Sequence, residues 1–147
     1  MKFYVGITDY EWFNFLASHR GIEEVTFWCP SPNVQFKRLQ PGEPFLFKLH
    51  SPHNSIAGGG FFIRFLKTPL TLAWRAFGIA NGTDSLVSLR EAISDYRKHP
   101  IDPTEDPTIG CVMLGEPFFF PRDEWIPPRR IGAAASFKAS AIRATIR

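Results

Sequence analysis

The chain of 147 residues is 44% hydrophobic and 15% aromatic, which fits one domain with a real core and excludes a disordered chain. No stretch approaches the roughly 18 apolar residues of a membrane span, and MKFYVG lacks the apolar centre of a signal peptide. The net charge of +3 is unevenly placed: residues 1–127 hold 12 Lys and Arg against 14 Asp and Glu, while residues 128–147 hold five basic residues and no acid, so the basic balance is weak evidence that the folded part binds nucleic acid.

Lys2 to Ile7 predicts a first strand. Thr8 followed by Glu11 has the form of a capping box and predicts a helix to about Arg20, stopped by Gly21, with Trp12, Phe13, Phe15 and Leu16 as its buried stripe. Glu24 to Trp28 predicts the next strand, ended by Cys29-Pro30-Ser31-Pro32. Asn33 to Gly42 is a polar connection carrying Lys37 and Arg38.

The stretch from Phe45 to Gly78 organises the chain. Phe45, Phe47 and Leu49 alternate with Leu46, Lys48 and His50 as in a strand. Ser51 to Ser55 breaks it with turn-forming polar residues. A second strand, Ile56 to Phe65, carries Gly58, Gly59 and Gly60, which suit a sharp bend or a close approach by another surface. Both needs arise in a small β-barrel holding a flat ligand at its mouth. Thr68 and Pro69 predict a helix start, and Leu70, Ala73, Trp74 and Phe77 fall on one helical face ended by Gly78.

A further helix is predicted from about Ser85 to Lys98, with Leu86, Leu89, Ile93 and Tyr96 inward. A proline-punctuated loop follows from His99 to Pro107. Ile109 to Leu114 predicts a late strand, Gly115-Glu116-Pro117 a turn into Phe118 to Phe120, and Trp125 to Pro127 the close of the domain. The expected fold is α+β, a mixed barrel of about five to six strands with helices packed outside. Residues 1–127 form the domain, and the basic, alanine-rich tail 128–147 lies outside it.

The chemistry-bearing residues point to recognition more than to catalysis. His19, His50, His53 and His99 show no metal spacing, no nucleophile motif or phosphate-binding glycine loop occurs, and no cofactor is implied. Asp102, Glu105 and Asp106 read as solvated loop carboxylates. Cys29 and Cys111 read as buried free thiols of a reducing, cytoplasmic compartment. Trp28, at a strand end beside a tight turn, suits stacking on a flat ligand whose edge Ser31 or Asn33 reads; it would equally serve as core. Ser51, His53, Asn54 and Ser55 form a polar tip that needs no function beyond turning, and Trp74 fits a core position as well as a site. Lys37, Arg38, Lys48 and Arg64, with Lys67 and Arg75, are candidates for a phosphate-contacting rim or plain surface charge.

Phe27 to Ser31, Pro41 to Phe62, Pro69 to Gly82, Tyr96-Arg97, Ile109 to Phe120 and Trp125 to Pro127 together resemble the N-terminal domain of predicted HNH-type restriction endonucleases. That domain is PUA-like and related to the EVE and YTH modules. The resemblance implies a pseudobarrel that accepts a flipped, modified base in an aromatic cage, in double-stranded DNA, with no membrane partner. On it Trp28 corresponds to the cage tryptophan, with Ser31 and Asn33 beside it, His53 to Ser55 closing the pocket and Trp74 among the base-binding residues. The nuclease domain that follows in the family is expected to have no counterpart here, since the chain runs from Trp125-Ile126-Pro127 into its basic tail; the chain is either a stand-alone reader or, as favoured, a truncated or frame-shifted product, and in both cases a binding module rather than an enzyme. An RNA-binding PUA-like module and a small-molecule or nucleotide binder are the alternatives.

Overall fold

The apolar alternation of Phe45, Phe47 and Leu49 produces a strand at the centre of a rolled sheet, in a computed structural model that describes residues 2–31, 35–97 and 99–128. In chain order the elements are β1 (Tyr4–Thr8), α1 (Tyr10–Ala17), β2 (Glu24–Cys29), β3 (Pro44–Leu49), β4 (Ile56–Pro69), α2 (Leu70–Phe77), α3 (Leu86–Tyr96) and β5 (Thr108–Phe119). The five strands form one sheet in the order β1-β3-β4-β5-β2, with β1 parallel to β3 and every other pair antiparallel. The two long strands β4 and β5, of 14 and 12 residues, make its spine.

The expected closed barrel is not formed. β1 and β2 are the two edges and do not pair with each other. The sheet nevertheless curls until the edges approach: the Phe27 ring on β2 lies 4.7 Å from Phe45 on β3. A Cβ added to Gly6 on β1 would sit 3.4 Å from the tip of Phe27. What remains between the edges is a seam, filled by side chains instead of a ladder.

Inside the roll, Trp12, Phe13 and Leu16 of α1 meet Val25, Phe45, Phe47, Leu49, Phe62 and Leu114, as the helical stripe predicts. On the outer face, α2 and α3 cover the sheet through Leu70, Ala73, Leu89 and Ile93 against Ile109, Cys111 and Met113. The sheet is thus apolar on both faces, which is why β3 and the first half of β5 are buried almost without interruption. Ile126 exchanges both backbone hydrogen bonds with Ile56, at 3.0 and 2.9 Å, and ties down the end of the domain.

Two helix starts differ from expectation. Thr8 stays in β1, buried, with its hydroxyl on Gly6 O, and Asp9 caps α1 by accepting from Trp12 N at 3.1 Å. Thr68 and Pro69 belong to β4, which runs four residues beyond the predicted Phe65. The free amide of Thr71 in α2 is instead taken by Asp106, whose two carboxylate oxygens bond Thr71 N at 2.9 Å and Oγ1 at 2.5 Å. Asp106 therefore has a structural task that its sequence setting did not disclose. Helix α1 also ends earlier than Arg20, at Ala17 with Ser18 as its cap. The expected turn at Gly115-Glu116-Pro117 is a bulge inside β5, where Glu116 adopts a φ of 47° and the register with β4 shifts.

Gly58 and Gly59 of β4 allow close packing within the sheet. A Cβ on Gly58 would lie 2.3 Å from the backbone oxygen of Phe118, and one on Gly59 2.5 Å from that of Phe45. The neighbours are backbone and cannot step aside.

Two measurements follow. Gly58→Ala should lower unfolding free energy by about 1–3 kcal/mol in chemical denaturation, the usual range for forced overpacking; a loss under about 0.5 kcal/mol would show that the strands simply separate. Asp106→Ala should remove a cap worth about 1 kcal/mol. Its hydrogen bonds to Thr71 hold the Asp106 carboxyl below the usual range, so the folded state favours the ionised form. That stability is present above the ordinary carboxylate pKa of about 3.9 and is lost as pH falls through the lower folded value. The difference between wild type and Asp106→Ala should accordingly shrink in strong acid; a constant difference would remove the cap from the account.

Candidate functional site

A cleft opens where the sheet fails to close. Two adjoining hollows, of about 480 and 300 Å³, share Asp9, Trp12, Trp28 and Tyr96 as common walls. Both volumes fall within the roughly 300–1,000 Å³ of ordinary ligand clefts. The smaller hollow lies on the seam itself, between Ile7 and Thr8 at the end of β1 and Phe27 to Pro30 at the end of β2. The larger one continues between α1 and α3, with Gly82 to Asp84 on one side.

Trp28 is placed there by β2, where it pairs with Cys111. Its Nε1 donates to Asn81 O at 3.1 Å, and its ring meets Tyr96 edge to face at 5.5 Å. It packs against both main core clusters and still lines both hollows. The ring is therefore part of the core and of the cleft wall at once. Asn81 acts as the post that fixes it: fully buried, it donates through Nδ2 to Ala73 O and Gly78 O at 3.1 and 2.9 Å.

Trp12 is 6% exposed, with its ring edge to face on Phe27 and Phe47 at 5.5 and 5.1 Å. Its Nε1 has no hydrogen-bond partner among the described residues. Tyr96 stands at the mouth, 47% exposed, rather than facing inward as the helical spacing predicts. Burial, and then the nearby Asp9 carboxylate, raise its hydroxyl above the ordinary range. Just past α3, Arg97 donates to Pro30 O and Thr108 O, joining the end of α3 to the ends of both β2 and β5.

The polar tip between β3 and β4 flanks this mouth without lining it. His53 stacks on Tyr10 at 4.8 Å and meets Trp125 edge to face at 5.5 Å, and His50 Nε2 lies 3.4 Å from Tyr96 Oη. Asn54 supplies a turn conformation with φ of 50°, and Ser55 is buried with its hydroxyl on His53 O. Ser31 follows Pro30 of the cleft wall, and Asn33 lies outside the described residues. Trp74 is set apart from the cleft, packed on the α2–α3 side of the sheet, because its helical face is the one that covers β5.

The predicted phosphate rim is dispersed. Lys37, Arg38 and Arg64 are exposed and none lines the cleft. Lys48 is opposite Ile7 in the β1–β3 register, so it shares the sheet face of a cleft residue. Arg122 lies 4.8 Å over the Trp125 ring, extending the row Tyr10, His53, Trp125. The larger hollow itself is lined by five carboxylates, Asp9, Glu11, Asp84, Glu91 and Asp95, and by no Lys or Arg among the described residues.

Asp9, Trp12 and Tyr96 were the cleft residues that sequence reasoning assigned elsewhere. The capping position of Asp9 and the Tyr96-Arg97 pair carried a signal of place but none of role. Among the described residues no three His, Cys, Asp or Glu side chains are grouped so as to hold a metal ion, and no helix is long and apolar enough to cross a membrane.

Comparison with known proteins gives a likeness of fold. No family model matches the chain, and no curated protein sequence matches it. Among solved structures, the crystal structure of ASCH from Zymomonas mobilis is similar with a TM-score of 0.58 and 13% identity, over 93% of this chain and 82% of that one. A Tyr-to-Phe variant of the same protein gives 0.59 and 13% over 94% and 85%. A Ser-to-Ala variant gives 0.59 and 12% over 93% and 82%. The chain thus shares the fold of this ASCH protein.

The thiols offer a check on the cleft. Burial raises the Cys29 thiol, which lines the smaller hollow, and pushes Cys111 up to about 12. Both are free. Neither should alkylate quickly at pH 8 in the native protein, and both should react once it is denatured. Rapid native labelling of Cys29 would mean that the seam admits water far more freely than its apolar walls indicate.

Proposed function

We propose that the protein is a nucleic-acid reader that accepts one unstacked, modified base in the cleft between Trp12, Trp28 and Tyr96. The observation that carries this reading is the placement of Trp28: its indole is fixed by Asn81 and set edge to face on Tyr96 at the unpaired seam of the sheet. An extruded base needs a flat surface for its face and polar groups for its edge. The cleft offers rings beside carboxylates, hydroxyls of Thr83 and Ser88, and backbone groups at Gly82. Lys48, and Arg122 with the His53–Trp125 row, are the groups that would follow the backbone outside.

Double-stranded DNA is the favoured substrate on the resemblance to endonuclease N-terminal domains, and in that setting the module would steer a nuclease supplied elsewhere. Binding alone, without catalysis, is its role in this reading. One observation favours a second reading, that of a free nucleoside or small-molecule binder: carboxylates line the hollow and repel phosphate, so a ligand without one enters more easily.

Titration of short duplexes and single strands carrying cytosine, 5-methylcytosine, 5-hydroxymethylcytosine or N6-methyladenine tests the reader, with unmodified DNA in the same salt to account for the basic tail. Preference for one modified strand supports it; uniform weak binding that vanishes with salt rejects it. Trp28→Ala should weaken the preferred complex by about 1–3 kcal/mol, the usual worth of one base stacked on a ring. Circular dichroism and thermal melting should show the fold retained; loss of the fold would leave Trp28 a core residue only.

A further inference from the structure

The smaller hollow differs from the larger in what its walls can offer. Ile7, Phe27, Cys29 and Pro30 line it and not its neighbour, and it shares Trp28 and Tyr96 with that neighbour. Its polar side chains are engaged inside the protein. Thr8 is buried and donates its hydroxyl to Gly6 O at 2.9 Å, and Asp9 accepts from Trp12 N at 3.1 Å as the cap of α1. Trp28 Nε1 donates to Asn81 O, and Tyr96 Oη lies 3.4 Å from His50 Nε2. Burial raises the Cys29 thiol, which stays neutral and packs as a small apolar group.

Exposure at the rim is a second observation. Ile7 on β1 is 52% exposed and Tyr96 at the end of α3 is 47% exposed, although both border this hollow. Large apolar side chains left uncovered around one opening mark a place that another molecule covers. Water entering the hollow finds few side-chain partners, whereas an apolar group gains by leaving solvent there.

Size narrows the class further. The hollow measures about 300 Å³, against roughly 30 Å³ for one water molecule. A single methyl group would leave most of it unfilled. A hydroxymethyl group would bring a hydroxyl to side chains that have no bond to spare. A base lodged against Trp28 and Tyr96 in the larger hollow has the smaller one next to it, because those two rings wall both.

We propose that the seam hollow is a subsite for a bulky apolar substituent, so that the ligand is a nucleobase bearing an alkyl or alkenyl chain several carbons long. This rests on the base-reader function above and names the class of modification. The ring occupies the larger hollow, and the chain fills the seam between Ile7 and Phe27.

The test is calorimetric titration of the full chain, at fixed salt, with two nucleoside series. One is adenosine with N6-methyl, N6-propyl and N6-isopentenyl groups; the other is cytidine with 5-methyl, 5-propyl and 5-pentyl groups. In at least one series each added carbon should tighten binding about fourfold until the hollow is full. A terminal hydroxyl on the longest chain should weaken binding at least about tenfold. Ile7→Ala should lower the affinity ratio between the longest-chain nucleoside and its parent by about threefold or more. Ile7 is exposed, so this variant keeps the core intact. Cys29→Phe, which fills the hollow, should bring the ratio close to one, with thermal melting to confirm its fold; if that variant unfolds, Ile7→Ala decides alone. Affinity independent of chain length in both series overturns the inference, and so does an unchanged ratio in Ile7→Ala. A methylated strand preferred in the oligonucleotide titration, beside two flat series, rejects the subsite and keeps the base reader. Binding of 1-hexanol as tight as that of the alkylated nucleosides overturns the inference by removing the base from the ligand.

Discussion

The indole of Trp12 packs beside the seam where the two edges of the sheet fail to pair. It enters from α1 and lies against Phe27 of β2 and Phe47 of β3. A β1–β2 ladder would have given the backbone groups of both edges partners and left no opening. Burial of one large apolar surface holds α1 against the sheet there. Much of the site descends from that packing. Asp9 is at the mouth because it caps the helix that carries the ring. Gly82 is where it is because any larger residue would strike the indole. Trp28 reaches the cleft because β2 ends beside an unpaired neighbour.

The rest of the fold serves to hold this seam at one width. β4 and β5 supply a long spine, and the glycines of β4 let the neighbouring backbones come close enough for the sheet to roll. Arg97 bonds to the end of β2 and the start of β5, so α3 moves with both strands. Asn81 does the same for Trp28 from the α2 side, through its carbonyl and amide. These contacts preorganise the cleft, so that a ligand need order little of the protein to bind.

Much of the fold was legible because its patterns are local. The stripe of α1, the alternation of β3 and the Ser85-capped α3 follow from spacing alone, and each lies within a few residues of its expected place. Closure was not legible, because it depends on how far the sheet curls to bring β1 and β2 together, which no local pattern of either strand encodes. The helix caps were misplaced for a related reason: Asp106 reaches α2 from 35 residues away, and nothing in its proline-rich setting marks it as a partner of Thr71. Of the cleft, Trp28 stood out by its strand-end position. Tyr96 did not, since its helical phase matched the inward face, and only the approach of α1 and β2 turns it into a wall. The glycine run was correctly read as a place of close approach, with the approaching surface being the chain's own backbone.

Helix α3 divides its labour by face. Leu89 and Ile93 are fully buried and hold the helix to the sheet, whereas Glu91 and Asp95 face outward beside the cleft. Substitutions at the outward positions leave the packed side untouched and act on separate terms of the free energy. The charge of the cleft can therefore drift through single exchanges while the domain keeps its fold. Such a scaffold is open to evolutionary retuning: descendants of one ancestor can diverge in what they admit at the seam while the seam itself stays the same.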